Sequence, residues 1–259
     1  MWMIIIGLIN LILFAFTIIF ILDRKEVKKI IFDFNFIIQR INENLLPIFV
    51  ICAVVVFHLI EVKFIDPAVT NWVGYDYANT LKGFENGFVY WFSQNWTHGI
   101  IHFFVLIYIA VYPFTLWFSP LYFTIANKKK ALKSLTYGLL IIYLVSLPFY
   151  LFLPITNVYT FYETNSALET VIPSVENFFY STTTTNNCLP SLHTAMTILV
   201  AYCLSLTGNK KIKIFGYFVM ITVIISVIYL SIHWLTDVLV GALLSLGAIF
   251  ILKRYIRDK

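Results

Sequence analysis

Long apolar runs separated by short polar stretches dominate the chain. A helix that spans the hydrocarbon core of a bilayer needs roughly 20 mostly apolar residues. Met3–Leu22, Leu45–Ile65, Gly99–Ala126, Ser134–Leu153, Ser191–Leu206, Ile214–Leu230 and Asp237–Leu252 meet or approach that length. Ser191–Leu206 and Asp237–Leu252 are short for a full span. Polar motifs precede both, which suits helices that begin below the headgroup level. The first run lacks a basic leading region and a small-residue cleavage site, and the basic residues Arg24, Lys25, Lys28 and Lys29 follow it. It reads as a retained helix rather than a cleaved signal.

Two stretches between the runs are amphipathic. Asp23–Asn44 alternates basic residues with Ile30, Ile31, Phe34, Ile37, Ile38 and Ile41, the pattern of a helix lying on a membrane surface. Tyr77–Gln94 mixes Leu81, Phe84, Phe88, Val89 and Phe92 with Lys82, Glu85 and Asn86, and is expected to form a second interfacial helix. Ile155–Leu189 is a long connection with Pro173 and the polar run Ser181–Asn187, and loops of that length are usually functional or mobile. Asn186 and Asn187 are candidate caps for the helix that Pro190 opens. No internal repeat is evident.

Composition carries the same message. Hydrophobic residues are 60% of the chain and charged residues 12%, against about 25% in ordinary soluble proteins. Mean hydropathy is +0.86. Disorder, a secreted disulfide scaffold and a soluble globular domain are excluded, and an all-α integral membrane protein is expected. The net charge of +5 is informative through its distribution. With seven spans, 16 of the 18 Lys and Arg fall on one set of loops, leaving Lys63 and Lys82 on the other. The positive-inside rule then puts the N-terminus outside and the C-terminus in the cytoplasm. It also assigns the basic charge to membrane topology, so no nucleic-acid partner is expected. Of the three cysteines, Cys52 and Cys203 lie in apolar runs and Cys188 in a loop, which implies no disulfide framework.

Ionisable residues at membrane depth are functional suspects. They gather at two places, Pro190-Ser191-Leu192-His193 at the start of the fifth run, and Ser226 through Asp237 with His233 and Asp237 four residues apart. The topology brings both to the outer surface. Two imidazoles and a carboxylate suit a double displacement, in which one His attacks, Asp holds its tautomer and the second His protonates the leaving group. The start of the fifth helix offers free N–H groups and the positive dipole end to an anion, so a phosphoryl group is the natural substrate part.

Pro190-Ser191-Leu192-His193 resembles the Pro-Ser-x-His motif of the type 2 phosphatidic acid phosphatase superfamily. Ser226 through Asp237 resembles its Ser-Arg-x5-His-x3-Asp motif in spacing, with Val227 where Arg is expected. The resemblance covers roughly Asp66 to Leu252. It implies a six-helix membrane core, here preceded by one N-terminal span, with His233 as nucleophile, Asp237 as its orienting partner and His193 as general acid. The early Lys-x6-Arg-Pro motif is absent from the outer half. In these losses, and in Asp66–Gln94 followed by Tyr108 through Pro113, the chain is similar to the inositol phosphorylceramide synthase branch. Residues 1–44 then form an N-terminal helix and surface helix, and 45–259 the membrane-embedded catalytic domain.

The expected activity is cleavage of a phosphate ester of a phospholipid or isoprenoid phosphate through a phosphohistidine, at the outer face and without metal or organic cofactor. Ser191, Ser226 and Lys82 are the expected phosphate-binding residues, Lys82 by folding over the site. The alternatives are a head-group phosphotransferase and a non-catalytic lipid-binding protein. A zinc site of His193, His233 and Asp237 is a further reading, disfavoured because the family pattern is metal-free. A transporter is disfavoured because the ionisable residues cluster at one surface. His98 and His102, and likewise His58 and Glu61, are read as structural pairs.

Overall fold

The computed structural model describes residues 2–22, 27 and 33–256. Fifteen α-helices occur among them: α1 Trp2–Phe16, α2 Phe34–Glu43, α3 Leu45–Ile60, α4 Asp66–Val73, α5 Ala78–Glu85, α6 Phe88–Gln94, α7 His98–Leu106, α8 Tyr112–Ile125, α9 Lys129–Phe152, α10 Val158–Phe161, α11 Ala167–Val171, α12 Val175–Phe179, α13 Leu192–Ser205, α14 Lys210–Tyr229 and α15 Leu235–Tyr255. Five-residue π-helical turns extend α1 and join α3 to α4 and α7 to α8, so the last two pairs run as single rods. Among the described residues there is no strand, only an isolated bridge between Ile155 and Asn187.

The architecture is the expected all-α membrane bundle. Among the described residues, five helical rods are long and apolar enough to cross a membrane: Leu45–Val73, His98–Ile125, Lys129–Phe152, Lys210–Tyr229 and Leu235–Tyr255. Ile4–Phe20 and Leu192–Ser205 are shorter apolar helices. The final rod is longer than its sequence pattern suggested, because it starts at Leu235 and takes Asp237 into its first turn. Leu239, Leu243, Leu246 and Phe250 line its outer face and are exposed, as lipid-facing residues must be.

The surface helix expected over Asp23–Asn44 is seen as α2, capped by the Asp33 carboxylate accepting from the Phe36 N–H at 2.9 Å. Its basic first half lies outside the described residues. The single helix expected over Tyr77–Gln94 is instead two, α5 and α6. Asn86 (φ 49°) and Gly87 (φ 75°) both adopt left-handed conformations, which end one helix and turn the chain into the next. The long connection Ile155–Leu189 is built rather than open. It folds into α10, α11 and α12, with Tyr159, Leu168, Ile172 and Val175 buried against Ile101, Val105 and Leu230.

The centre of the molecule is α13, packed between α9, α14 and α15. Leu199, Cys203 and Leu204 from α13 join Leu132 and Leu135 from α9, Ile212 from α14 and Ala248 and Leu252 from α15 in the main core cluster. This antiparallel packing sorts the helix ends. The starts of α13 and α15 and the end of α14 lie at one end. The lysine-rich starts of α9 and α14 lie at the other.

Candidate active site

Three local devices fix the site. Ser191 caps α13, its Oγ accepting from the Thr194 N–H at 3.3 Å. Asn186 and Asn187 do not cap that helix. The Asn186 amide donates to Thr70 Oγ1 at 3.0 Å, and Ser191, immediately before the helix, is better placed. Asp237 caps α15, its Oδ2 accepting from the Trp234 N–H at 2.9 Å. The two helix starts are then joined backbone to backbone, the Ser191 N–H donating to the Asp237 carbonyl at 3.0 Å. Gly241 permits this approach, since a Cβ there would stand 2.5 Å from the Ser191 carbonyl oxygen.

The structure brings His193, His233 and Asp237 together. His193 Nδ1 lies 3.1 Å from His233 Nε2, and His233 Nδ1 lies 3.4 Å from Asp237 Oδ2. His233 and Asp237 are buried. Asp237 accepts only, so His233 Nδ1 carries the proton of that contact and Nε2 is left as an acceptor. The proton between the two imidazoles therefore belongs to His193 Nδ1, an assignment made from the hydrogen-bond network. Burial pushes the His233 pKa down to about 4, with the Cys188 backbone acting in the opposite direction. His233 is thus a neutral imidazole at pH 7.

The remaining sequence-predicted residues are arranged differently. The Ser226 hydroxyl is buried and donates within its own helix to the Val223 carbonyl at 2.8 Å. Lys82 is exposed, its Nζ 5.8 Å from the ring centroids of both Phe161 and Tyr162. Val227, at the position where the related motif has Arg, is buried in an apolar cluster that also holds Tyr108, Leu168 and Leu230. The pair His98 and His102 is exposed, His102 Nδ1 lying 2.6 Å from the His98 carbonyl oxygen. His58 Nδ1 lies 3.5 Å from Glu61 Oε2, and the Tyr143 hydroxyl donates to the same carboxylate at 3.3 Å.

Four contributors were not named as site residues from sequence, although Glu85 and Tyr108 through Pro113 stand in the stretches that carry the resemblance. Tyr108 and Tyr112 set their rings 4.8 and 5.0 Å from the His193 ring, and the buried Tyr108 hydroxyl has no hydrogen-bond partner. Their i, i+4 spacing within an apolar run was the available signal. Tyr108 lies within the π turn Ile107–Val111 and Tyr112 directly follows it, a distortion often seen at functional sites. The Tyr150 hydroxyl donates to the Pro190 carbonyl at 2.7 Å and anchors the approach to Ser191. Glu85 accepts from the Leu235 and Thr236 N–H groups at 3.0 and 2.7 Å. It therefore occupies the N-terminus of α15, leaving that of α13 for an anion.

Among the described residues, the group that could hold a metal ion differs from the expected one by one residue, Cys188 standing in place of His193. Cys188 Sγ, one ring nitrogen of His233 and one carboxylate oxygen of Asp237 all lie within 4.8 Å of one another, and all three residues are buried.

Residues 148–259 match the family model of the PAP2 superfamily. The matched stretch is somewhat under half of the chain and holds both histidines and Asp237. The match implies phosphatase or phosphotransferase activity on phosphate esters. No curated protein and no solved structure matches the chain.

Proposed function

We propose that the protein is a membrane-embedded lipid phosphatase that hydrolyses a phosphate ester through a phosphohistidine on His233. The observation that carries this reading is the line Asp237–His233–His193, with the proton-free nitrogen of one imidazole facing the protonated nitrogen of the other. A phosphoryl group entering between the rings would meet the His233 Nε2 lone pair on one side and the His193 proton on the other. Nε2 forms the bond to phosphorus while the bond from phosphorus to the lipid oxygen breaks. His193, entering the step as an imidazolium, gives its Nδ1 proton to that oxygen and is left neutral, and Asp237 steadies the charged His233 ring. Water then attacks the phosphohistidine, His193 takes its proton, and phosphate leaves.

The phosphoryl oxygens face the first turn of α13, where the N–H groups of Leu192 and His193 are free of intrahelical bonds and carry the positive dipole end, about half a unit of charge. Ser191 Oγ receives a hydrogen bond and keeps its own proton to donate. Tyr108 supplies a second neutral hydroxyl where a related enzyme would use Arg. Lys82, on the same short helix as Glu85, adds a cation from the rim. A lipid substrate is supported by an apolar cavity of about 210 Å³ among α3, α8, α9 and α13, whose lining includes Val54, Leu139, Ile142, Met196 and, beside His193, Leu192 and Tyr112. The distribution of Lys and Arg over the loops supports a site on the outer face.

A second reading, transfer of the phosphoryl head group to an alcohol, is favoured by one observation. A cavity of about 530 Å³ at the same end is lined by Asp66, Thr70, Asn71, Asp76, Thr184 and Asn186, a set suited to hydroxyl groups. Its wall residue Thr156 accepts from the Trp234 indole N–H at 2.9 Å, next to His233.

The test is a panel of lipid mono- and diphosphates presented to the purified protein, with free phosphate and new phosphodiesters both measured. Hydrolysis predicts phosphate release and acid-labile phosphate trapped on His233. His193→Ala should lower turnover by roughly 10²–10⁴-fold, the usual worth of a general acid, and His233→Ala should abolish it. Near-normal turnover of His233→Ala refutes the assignment.

A further inference from the structure

We propose that the base of the candidate site is a soft-metal site, formed by Cys188 Sγ, His233 Nδ1 and Asp237, at which zinc binds and switches the phosphatase off. The inference rests on the reading of His233 as nucleophile, and it adds a role for the one buried cysteine beside it.

The donor set is mixed and comes from two separate segments. Cys188 ends the outer connection, and His233 and Asp237 flank the start of α15. Their ligand atoms lie within 4.8 Å of one another. A tetrahedral zinc with bonds of 2.0–2.3 Å places its ligands about 3.5 Å apart, so the group needs to contract by about 1 Å to close on the ion. Asp237 has an oxygen to give. Oδ1 is buried without a hydrogen-bond partner, while Oδ2 serves Trp234 and His233. Such an orphan carboxylate oxygen is costly in a protein interior unless a cation or a donor meets it. Cys188 is similarly uncommitted, since its closest polar contacts are long ones, 3.8 Å to the Thr185 carbonyl and 3.9 Å to that of Ile232. The proposed hydrolysis gives the thiol no role.

Zinc binding releases one proton to solvent, from the Cys188 thiol, while the single proton of the neutral His233 ring moves from Nδ1 to Nε2. The fourth coordination position is left for water. Loss of the Nδ1 proton removes the hydrogen bond through which Asp237 supports His233. The ring is then held by the ion with its proton on Nε2, and it has no lone pair left to attack phosphorus. Turnover stops with the helix starts and the phosphate-binding groups still in place. Cys52 and Cys203 have no such surroundings, the first lying exposed on α3 and the second in the main core.

The experiment uses the full chain in detergent micelles, titrated with cobalt(II) as a spectroscopic stand-in and separately with zinc. The wild type should bind one cobalt with a near-ultraviolet thiolate-to-metal charge-transfer band, and zinc should inhibit phosphate release and compete that band away. Cys188→Ser and Cys188→Ala should lack the band, keep metal-free turnover within about threefold, and need at least about tenfold more zinc for inhibition. A wild-type protein without the band, or a Cys188→Ser variant with the same band or the same zinc sensitivity, overturns the proposal. Both outcomes are separable from failure of the phosphatase reading. A protein that shows the band but hydrolyses no lipid phosphate loses the activity and keeps the metal site. A protein that turns over substrate without the band keeps the activity and loses the metal site.

Discussion

Replacing Glu85 by Ala should damage the site from outside it. The Glu85 carboxylate takes both the Leu235 and the Thr236 N–H groups, while Asp237 takes that of Trp234. Three successive amides at the start of α15 therefore end on two carboxylates. A hydrogen bond to a charged group contributes about 1.5–3 kcal/mol, and a carboxylate at a helix N-terminus about 0.3–1 kcal/mol more. Glu85 is half-buried, so water replaces part of what Ala removes. A net loss of about 2–3 kcal/mol follows for Glu85→Ala, and about 1 kcal/mol for Glu85→Gln, which keeps one acceptor and loses the charge. At 2–4 °C per kcal/mol, Ala should lower the thermal midpoint by about 5–10 °C and Gln by half that or less. Turnover should fall at least about tenfold in Glu85→Ala, because the loosened turn lies between His233 and Asp237. KM should not rise, since removing a negative charge near an anionic substrate does not weaken its binding. Thermal unfolding in micelles and steady-state phosphate release measure both. A Glu85→Ala protein with wild-type midpoint and kcat, or with its defect confined to KM, refutes the reasoning.

Gly241→Ala should be worse than an ordinary glycine substitution in a helix. Its Cβ meets backbone at 2.5 Å, so the starts of α13 and α15 must separate, at about 1–3 kcal/mol and a loss of turnover of about 10²-fold, read from thermal midpoint and kcat. With the His233 pKa near 4, the acid limb of kcat/KM should lie near pH 4 rather than near 6.5. A depressed His pKa gives stability present above the unfolded value and lost as pH falls, so midpoints measured from pH 7 to 4 should decline, by about 3 kcal/mol in total from this group. Tyr108→Phe and Lys82→Ala should each raise KM several-fold with kcat less affected, and unchanged KM in either removes that residue from the phosphate site.

What the sequence disclosed was what depends on neighbours along the chain. Apolar runs marked the spans because the positions of a helix that face lipid must be apolar. His233 and Asp237 were visible because four residues make one helical turn, and His193 because Pro190 and Ser191 mark a helix start. Glu85, Tyr108, Tyr150 and Cys188 were hidden because their partners are distant in sequence, up to 151 positions between Glu85 and Thr236. The break at Asn86-Gly87 was missed because amphipathic periodicity on both sides outweighed two residues able to adopt positive φ. Asn186 and Asn187 looked like caps by residue type, but the turn at Pro190 leaves that position to Ser191.

The amide link from Ser191 to Asp237, seated over Gly241, splices the two motifs into one rigid joint. The α13–α14 hairpin between them is then a loop of membrane helix whose ends are already tied. Its lipid-facing side chains and its lysine-bearing turn are free to diverge while both imidazoles keep their register, whereas Leu199, Leu204, Ile212 and Val223 are held by the core. Exchange of the exposed Ile214, Tyr217, Phe218, Ile221 and Ile225 for other apolar residues is therefore the replacement this scaffold is built to tolerate, whereas a one-residue shift across the joint is not.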